Sequence, residues 1–185
     1  MPKKLALLTA GGDCPGINAV IRAVVKTAAN DYGMETIGIE DGFLGLIEER
    51  WRPLNWIDVS GIITLGGTIL GTSNKADPFR FPKSTVDGEP VFEDVSDAVL
   101  SNFERLGVSA LVAIGGDGTL SIANGLQEKG LPVVGIPKTI DNDLDATHMT
   151  FGFDSAVSCA VEALDRLATT AESHNRVMVL EVMGR

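Results

Sequence analysis

Short apolar runs alternate along the chain with longer stretches whose apolar positions recur at helical spacing. Lys4–Ala10 is an apolar run that ends in Gly11-Gly12 and reads as a buried parallel strand. Ile17, Val20, Ile21, Val24, Val25 and Ala28 then mark one face of a helix, with Gly33 as its stop. Met34–Glu40 reads as a second strand and Asp41–Glu49 as a short helix. Gly61–Leu65 is a further candidate strand, Gly66–Pro82 a Gly/Thr/Asn/Pro-rich loop, and Val86–Phe92 a small hairpin or extended arm. Asp94 or Ser96 caps a helix that ends near Gly107. Then come a strand at Ala110–Ile114, a helix at Thr119–Lys129 and a strand at Leu131–Ile136. Lys138–Thr150 is polar and long for a connection, which points to function. A long helix over Asp154–Ser173 and a last strand over Arg176–Val182 complete the pattern.

Strands alternating with helices predict an α/β fold: an open, mainly parallel, doubly wound (Rossmann-like) sheet with helices on both faces. Ligands of such sheets bind beyond the carboxyl ends of the strands. Three conspicuous loops follow strands, at Gly11–Gly16, Gly115–Thr119 and Pro137–Asp143, and should meet on one edge.

Composition narrows the class. Hydrophobic residues are 44% and charged residues 22% of the chain, which fits a globular protein and excludes disorder. No apolar run approaches the roughly 20 residues that span a bilayer, and the basic start runs into a strand rather than a signal peptide. The net charge of −10 argues against a general nucleic-acid binder but not against a phosphate site, where backbone N–H groups and a metal hold the anion locally. Cys14 and Cys159 make no disulfide framework and suit a reducing cytoplasm. Trp51 and Trp56 read as packing residues, and Arg22 and Lys26 as a solvated helix face. His148 and His174 lack metal-ligand spacing.

The loops carry the candidate chemistry. Gly11-Gly12-Asp13-Cys14-Pro15-Gly16 joins a strand to a helix, which suits either an anion-binding turn or a plain tight turn. Gly115-Gly116-Asp117-Gly118-Thr119 adds a carboxylate placed to hold a hard cation, or is a capped turn with a solvated Asp; NAD kinases and lipid kinases share this string. Pro137-Lys138-Thr139-Ile140-Asp141-Asn142-Asp143 sets two carboxylates about an Asn, as a proton acceptor and its support or as an Asx-rich turn.

Taken in this order, the three strings resemble the phosphofructokinase family. So do Asp41–Leu46, Gly66–Thr72, Gly152–Ala156 and Glu181–Arg185, so that the resemblance spans nearly the whole chain. It implies phosphoryl transfer from ATP to the 1-hydroxyl of fructose 6-phosphate, with pyrophosphate as the alternative donor, Mg²⁺ as cofactor, a cytoplasmic setting and a homo-oligomer (dimer or tetramer). It implies Asp141 as the base on the sugar hydroxyl, and Thr139 at the transferring phosphoryl. Arg185 would steady transition-state charge. Gly11, Gly12, Asn74, Lys75, Gly116, Asp117, Gly118 and Thr119 would bind the donor. Thr139, Ile140, Asp141, Arg176, Met183, Gly184 and Arg185 would bind the sugar phosphate, Arg176 by reaching a neighbouring subunit. Asp117 would carry the metal and Asp143 support it.

Two positions depart from the family's common pattern. Asn74, followed by Lys75, stands where many members carry a bridging arginine, and a lysine cannot make that bidentate fork. Gly118 is typical of ATP users, because an Asp there would crowd and repel the α-phosphate, whereas Lys138 is typical of pyrophosphate users. The resemblance further implies that residues 1–185 form the donor-binding, N-terminal part of a longer enzyme and are inactive without the sugar-phosphate half.

Overall fold

The fold is described from a computed structural model, for residues 3–86 and 88–184. Strands β1 (Lys4–Thr9), β2 (Glu35–Ile39), β6 (Ala110–Gly115), β7 (Val133–Thr139) and β8 (Phe151–Gly152) run parallel. With β3 (Trp51–Leu54) antiparallel at one edge they form a sheet ordered β3-β2-β1-β6-β7-β8. Strands β4 (Phe81–Val86) and β5 (Glu89–Glu93) make a separate antiparallel hairpin, the arm expected around Val86–Phe92.

Alternation along the strands sends neighbouring side chains into two cores. Ala6 and Leu8 of β1 and Leu111 and Ala113 of β6 pack under α2 (Phe43–Glu48), α3 (Ser96–Leu106) and α4 (Asp117–Glu128) through Phe43, Leu46, Val99, Phe103 and Leu126. Leu7, Val112 and Ile114 face the opposite side, where α1 (Ile17–Tyr32) contributes Ile17, Val20, Ile21 and Val25. The sheet is therefore wound on both faces, as expected. Helix α5 (Phe153–His174) follows β8, and none of its residues is buried.

Several boundaries and elements differ from expectation. Gly61–Leu65 forms turns, not a strand: the buried Asn18 amide donates to the Leu65 and Gly66 carbonyls and accepts from the Ile69 N–H, so a side chain replaces the ladder. Strand β3 was not anticipated; it is short, contains Pro53, and tolerates that proline because it is an edge strand. Arg176–Val182 is not a strand, because it pairs with no strand among the described residues, and Val177 and Val179 are exposed. Strand β7 continues through Lys138 and Thr139, which the sequence pattern assigns to the following loop, because β8 gives them partners at Phe151 and Gly152. Asp94 accepts from both the N–H and the hydroxyl of Ser96 at the start of α3. Arg22 and Lys26 are not simply solvated: Arg22 donates to the Val59 carbonyl at 2.6 Å, and the Lys26 ammonium sits 3.4 Å from the centroid of the half-exposed Trp56 ring.

Candidate active site

The carboxyl ends of β1, β6 and β7 open into one cleft of about 760 Å³. The turn after β1 supplies Gly11, Gly12, Asp13 and Cys14 to its wall. The turn after β6 supplies Gly116, Asp117, Gly118 and Thr119, and the end of β7 supplies Lys138, Thr139, Ile140 and Asp141. Three further segments reach it: Phe43 of α2, Ser73 and Asn74 from the long loop, and Met183 with Gly184.

The β6–α4 turn shows how glycines shape the wall. A Cβ on Gly115 would stand 2.3 Å from both Cβ and Oγ1 of Thr119, so only glycine lets that threonine fold back over the strand end. Gly118 is the opposite case. A Cβ there meets nothing within 4 Å, so the missing side chain leaves open space at the cleft rather than relieving a contact. Asp117 begins α4, where the helix dipole favours its negative charge.

The end of β7 carries the remaining polar groups. The Thr139 hydroxyl accepts from the Asp141 N–H at 3.1 Å and makes a long contact of 3.5 Å to Oδ2 of the same residue. Gly184 comes close to this carboxylate, its ideal Cβ position lying 3.8 Å from Asp141 Oδ1. Lys138 is buried and donates from Nζ to the Gly12 carbonyl. Burial holds its ammonium below the ordinary lysine range, against the attraction of Cys14 and Asp13. Burial also pushes the Cys14 thiol up, while the Lys138 charge pulls it down and Asp13 adds to the rise.

Of the residues singled out in the sequence, Gly11, Gly12, Asn74, Gly116, Asp117, Gly118, Thr119, Lys138, Thr139, Ile140, Asp141, Met183 and Gly184 line this cleft. Lys75, Asp143 and Arg176 do not line it. Lys75 is an exposed residue beyond Asn74. Asp143 follows Asn142, whose φ of 50° and bonds to His148 and Thr150 turn the chain. Arg176 lies past α5, a helix of 22 residues. Arg185 lies outside the described residues. Asp13, Ser73, Asp77 and Ser121 also line the cleft without having been singled out; Asp13 alone had a signal, its place inside the first glycine turn. Among the described residues no three His, Cys, Asp or Glu groups gather as a metal site. The carboxylates that line the cleft are Asp13, Asp77, Asp117 and Asp141. Magnesium, which keeps several waters and takes one or two carboxylates plus phosphate oxygens, suits such a sparse set.

Fold and cleft together define a doubly wound α/β protein with glycine turns and carboxylates gathered at the carboxyl edge of its sheet. The phosphofructokinase family profile matches residues 4–185, and the chain belongs to that family. It is 56% identical over 183 residues to ATP-dependent 6-phosphofructokinase 2 of Clostridium perfringens, an alignment covering 99% of this chain and 50% of that protein. It is 50% identical over 186 residues to ATP-dependent 6-phosphofructokinase 1 of Synechocystis sp., again with 99% and 50% covered. Among solved structures, the phosphofructokinase from Saccharomyces cerevisiae superposes with a TM-score of 0.79 at 33% identity, covering 99% of this chain and 26% of that one. The chain thus spans about half the length of the curated relatives it matches. No helix among the described residues is long and apolar enough to cross a membrane.

Proposed function

We propose that this chain forms the donor side of a 6-phosphofructokinase site, transferring the γ-phosphoryl group of ATP to the 1-hydroxyl of fructose 6-phosphate. The observation that carries this reading is the meeting of the β1, β6 and β7 loops in one cleft, with open space at Gly118 and the Thr139–Asp141 pair on its wall. The sugar oxygen bonds to phosphorus as the bond from phosphorus to the bridging oxygen breaks, and ADP leaves. Asp141 takes the hydroxyl proton, with its carboxylate oriented by Thr139. Gly11, Gly12 and the α4 N-terminus face the donor phosphates. Met183 and Gly184 would bring the sugar phosphate against Asp141, and Arg185 would steady the charge of the transition state. Asp117 would hold Mg²⁺, which neutralises charge on the donor oxygens when bound. Asp143 would support that metal, and Arg176 would serve a neighbouring subunit of a cytoplasmic homo-oligomer.

Lys138 at the cleft favours a second reading, with pyrophosphate as donor. In an enzyme that joins this chain to a sugar-phosphate half, rates of fructose 1,6-bisphosphate formation with ATP and with pyrophosphate separate the two. Product formed with ATP and not with pyrophosphate supports the first reading; product with neither sinks both, leaving a polyphosphate-binding module.

A further inference from the structure

The glycine turn after β1 is held from two sides by side chains whose contacts no motif predicts. On one side the Thr72 hydroxyl donates to the Gly11 carbonyl at 2.5 Å, and the Gly11 N–H donates to the Ser73 carbonyl at 3.3 Å. On the other side Lys138, 5% exposed, donates to the Gly12 carbonyl. Both carbonyl oxygens of the glycine pair are therefore taken by side-chain donors from separate segments.

We propose that Thr72 and Lys138 are positioning residues for the donor phosphates: they orient the turn through its two carbonyls, and Lys138 acts through Gly12 rather than by discriminating between donors. This rests on the reading of the cleft as the donor site. A trans peptide unit is planar, so the Gly11 carbonyl and the Gly12 N–H point in opposite directions, as do the Gly12 carbonyl and the Asp13 N–H. Pinning two oxygens thus fixes two amides. A glycine pair carries no side chain to limit rotation and would otherwise sample orientations that turn a carbonyl toward an anion. Lys138 suits this task because its ammonium is already committed. It is buried and bound to a backbone oxygen, and burial disfavours its charge unless that bond is kept. A lysine so placed serves any donor whose phosphates rest on the same turn. On this assignment Lys138 no longer counts toward pyrophosphate as donor, as it does in the second reading above, and the choice falls to the space at Gly118.

The test is calorimetric titration of the 185-residue chain with Mg²⁺ and a non-hydrolysable ATP analogue, and separately with Mg²⁺ and pyrophosphate. Melting temperatures are recorded beside each titration. Thr72→Val keeps shape and removes the hydroxyl; Lys138→Met keeps length and removes the charge. Each should weaken every donor that the parent binds by roughly tenfold, the loss expected for one orienting hydrogen bond. Thr72→Ser should bind within about twofold of the parent, even if its melting point falls like that of Thr72→Val. Unchanged binding by Thr72→Val overturns the proposal, as does equal weakening by the Ser and Val variants. If the parent binds both donors and Lys138→Met loses only one of them, Lys138 discriminates and its assignment falls. A parent chain that binds neither donor fails before any substitution and overturns the reading of the cleft itself.

Discussion

Thr139 Oγ1 stands between two groups of Asp141, accepting from its backbone N–H at 3.1 Å and facing its Oδ2 at 3.5 Å. The first bond turns the chain just after β7, and the turn aims the carboxylate at the cleft that Gly184 approaches. A proton acceptor is useful only when held within reach of the hydroxyl it serves. Asp141→Asn keeps the shape and removes the basicity. In an enzyme that also carries the sugar-phosphate half, turnover with fructose 6-phosphate should fall by about two to four orders of magnitude while donor affinity is kept. Stopped-time product assays beside donor titrations check this, and retained turnover would remove Asp141 from the role.

Thr139→Val should lower turnover less than the loss of the base itself. It leaves the carboxylate in place but frees its orientation, so Thr139→Ser should restore most of the rate. Equal losses in the Val and Ser variants would mean that packing, not the hydroxyl, is what matters.

Gly115→Ala tests the β6–α4 turn. The added methyl would sit 2.3 Å from the Thr119 side chain, which is itself buried, so the turn or the helix must shift. Overpacking of this kind costs about 1–3 kcal/mol. The urea midpoint should fall accordingly. Gly118→Ala, where a Cβ meets nothing, should shift it by no more than about 1 kcal/mol, the intrinsic backbone difference and of the stabilising sign in a helix.

How much of this was legible in advance depends on the range of the interactions. Strands β1, β2 and β6 and helices α1 and α4 follow from local periodicity, and their expected limits fall within about two residues of those observed. The three loops converge because parallel strands share a carboxyl edge, which topology alone dictates. What local pattern missed was set by distant partners. Asn18 holds Leu65–Ile69 by its side chain, so the apolar Ile62, Ile63 and Leu65 never pair as a strand. Val177 and Val179 alternate as a strand should, yet alternation supplies no neighbour to bond to. The ties from Thr72 to Gly11 and from Lys138 to Gly12 join residues 61 and 126 positions apart, and no spacing rule reaches that far.

Asn18 therefore makes a separate prediction. It is 1% exposed and makes three hydrogen bonds to the 65–69 segment. Asn18→Leu leaves two carbonyls and an N–H without that partner, a loss of about 1–3 kcal/mol for each that stays buried and unpaired. Hydrogen exchange should show the Ile69 amide losing protection before the amides of β1. Unaltered protection there would mean that the segment is held by packing alone.

The two cysteines should separate cleanly by reactivity. Cys159 is exposed on α5, whereas Cys14 is buried and its single thiol proton has the Phe151 and Pro15 carbonyls as acceptors, each 3.4 Å from Sγ. Alkylation at neutral pH, read by peptide mass spectrometry, should mark Cys159 first. The thiolate is the reactive form, and burial raises the Cys14 pKa, so its labelling should begin only at more alkaline pH than that of an ordinary thiol. The sign for stability follows. The folded state holds the Cys14 proton where the unfolded chain has released it. This contribution is complete below the unfolded thiol's pKa and is lost as pH rises through the raised one. Lys138 works in the opposite direction over the alkaline range: its depressed pKa means that the folded state gives up a proton first, and the burden of its buried charge is relieved as pH rises. Lys138→Met removes the positive charge that lowers the Cys14 pKa, so Cys14 labelling should move to still higher pH. A shift toward neutral pH in that variant would show instead that the substitution had opened the cleft and exposed the thiol.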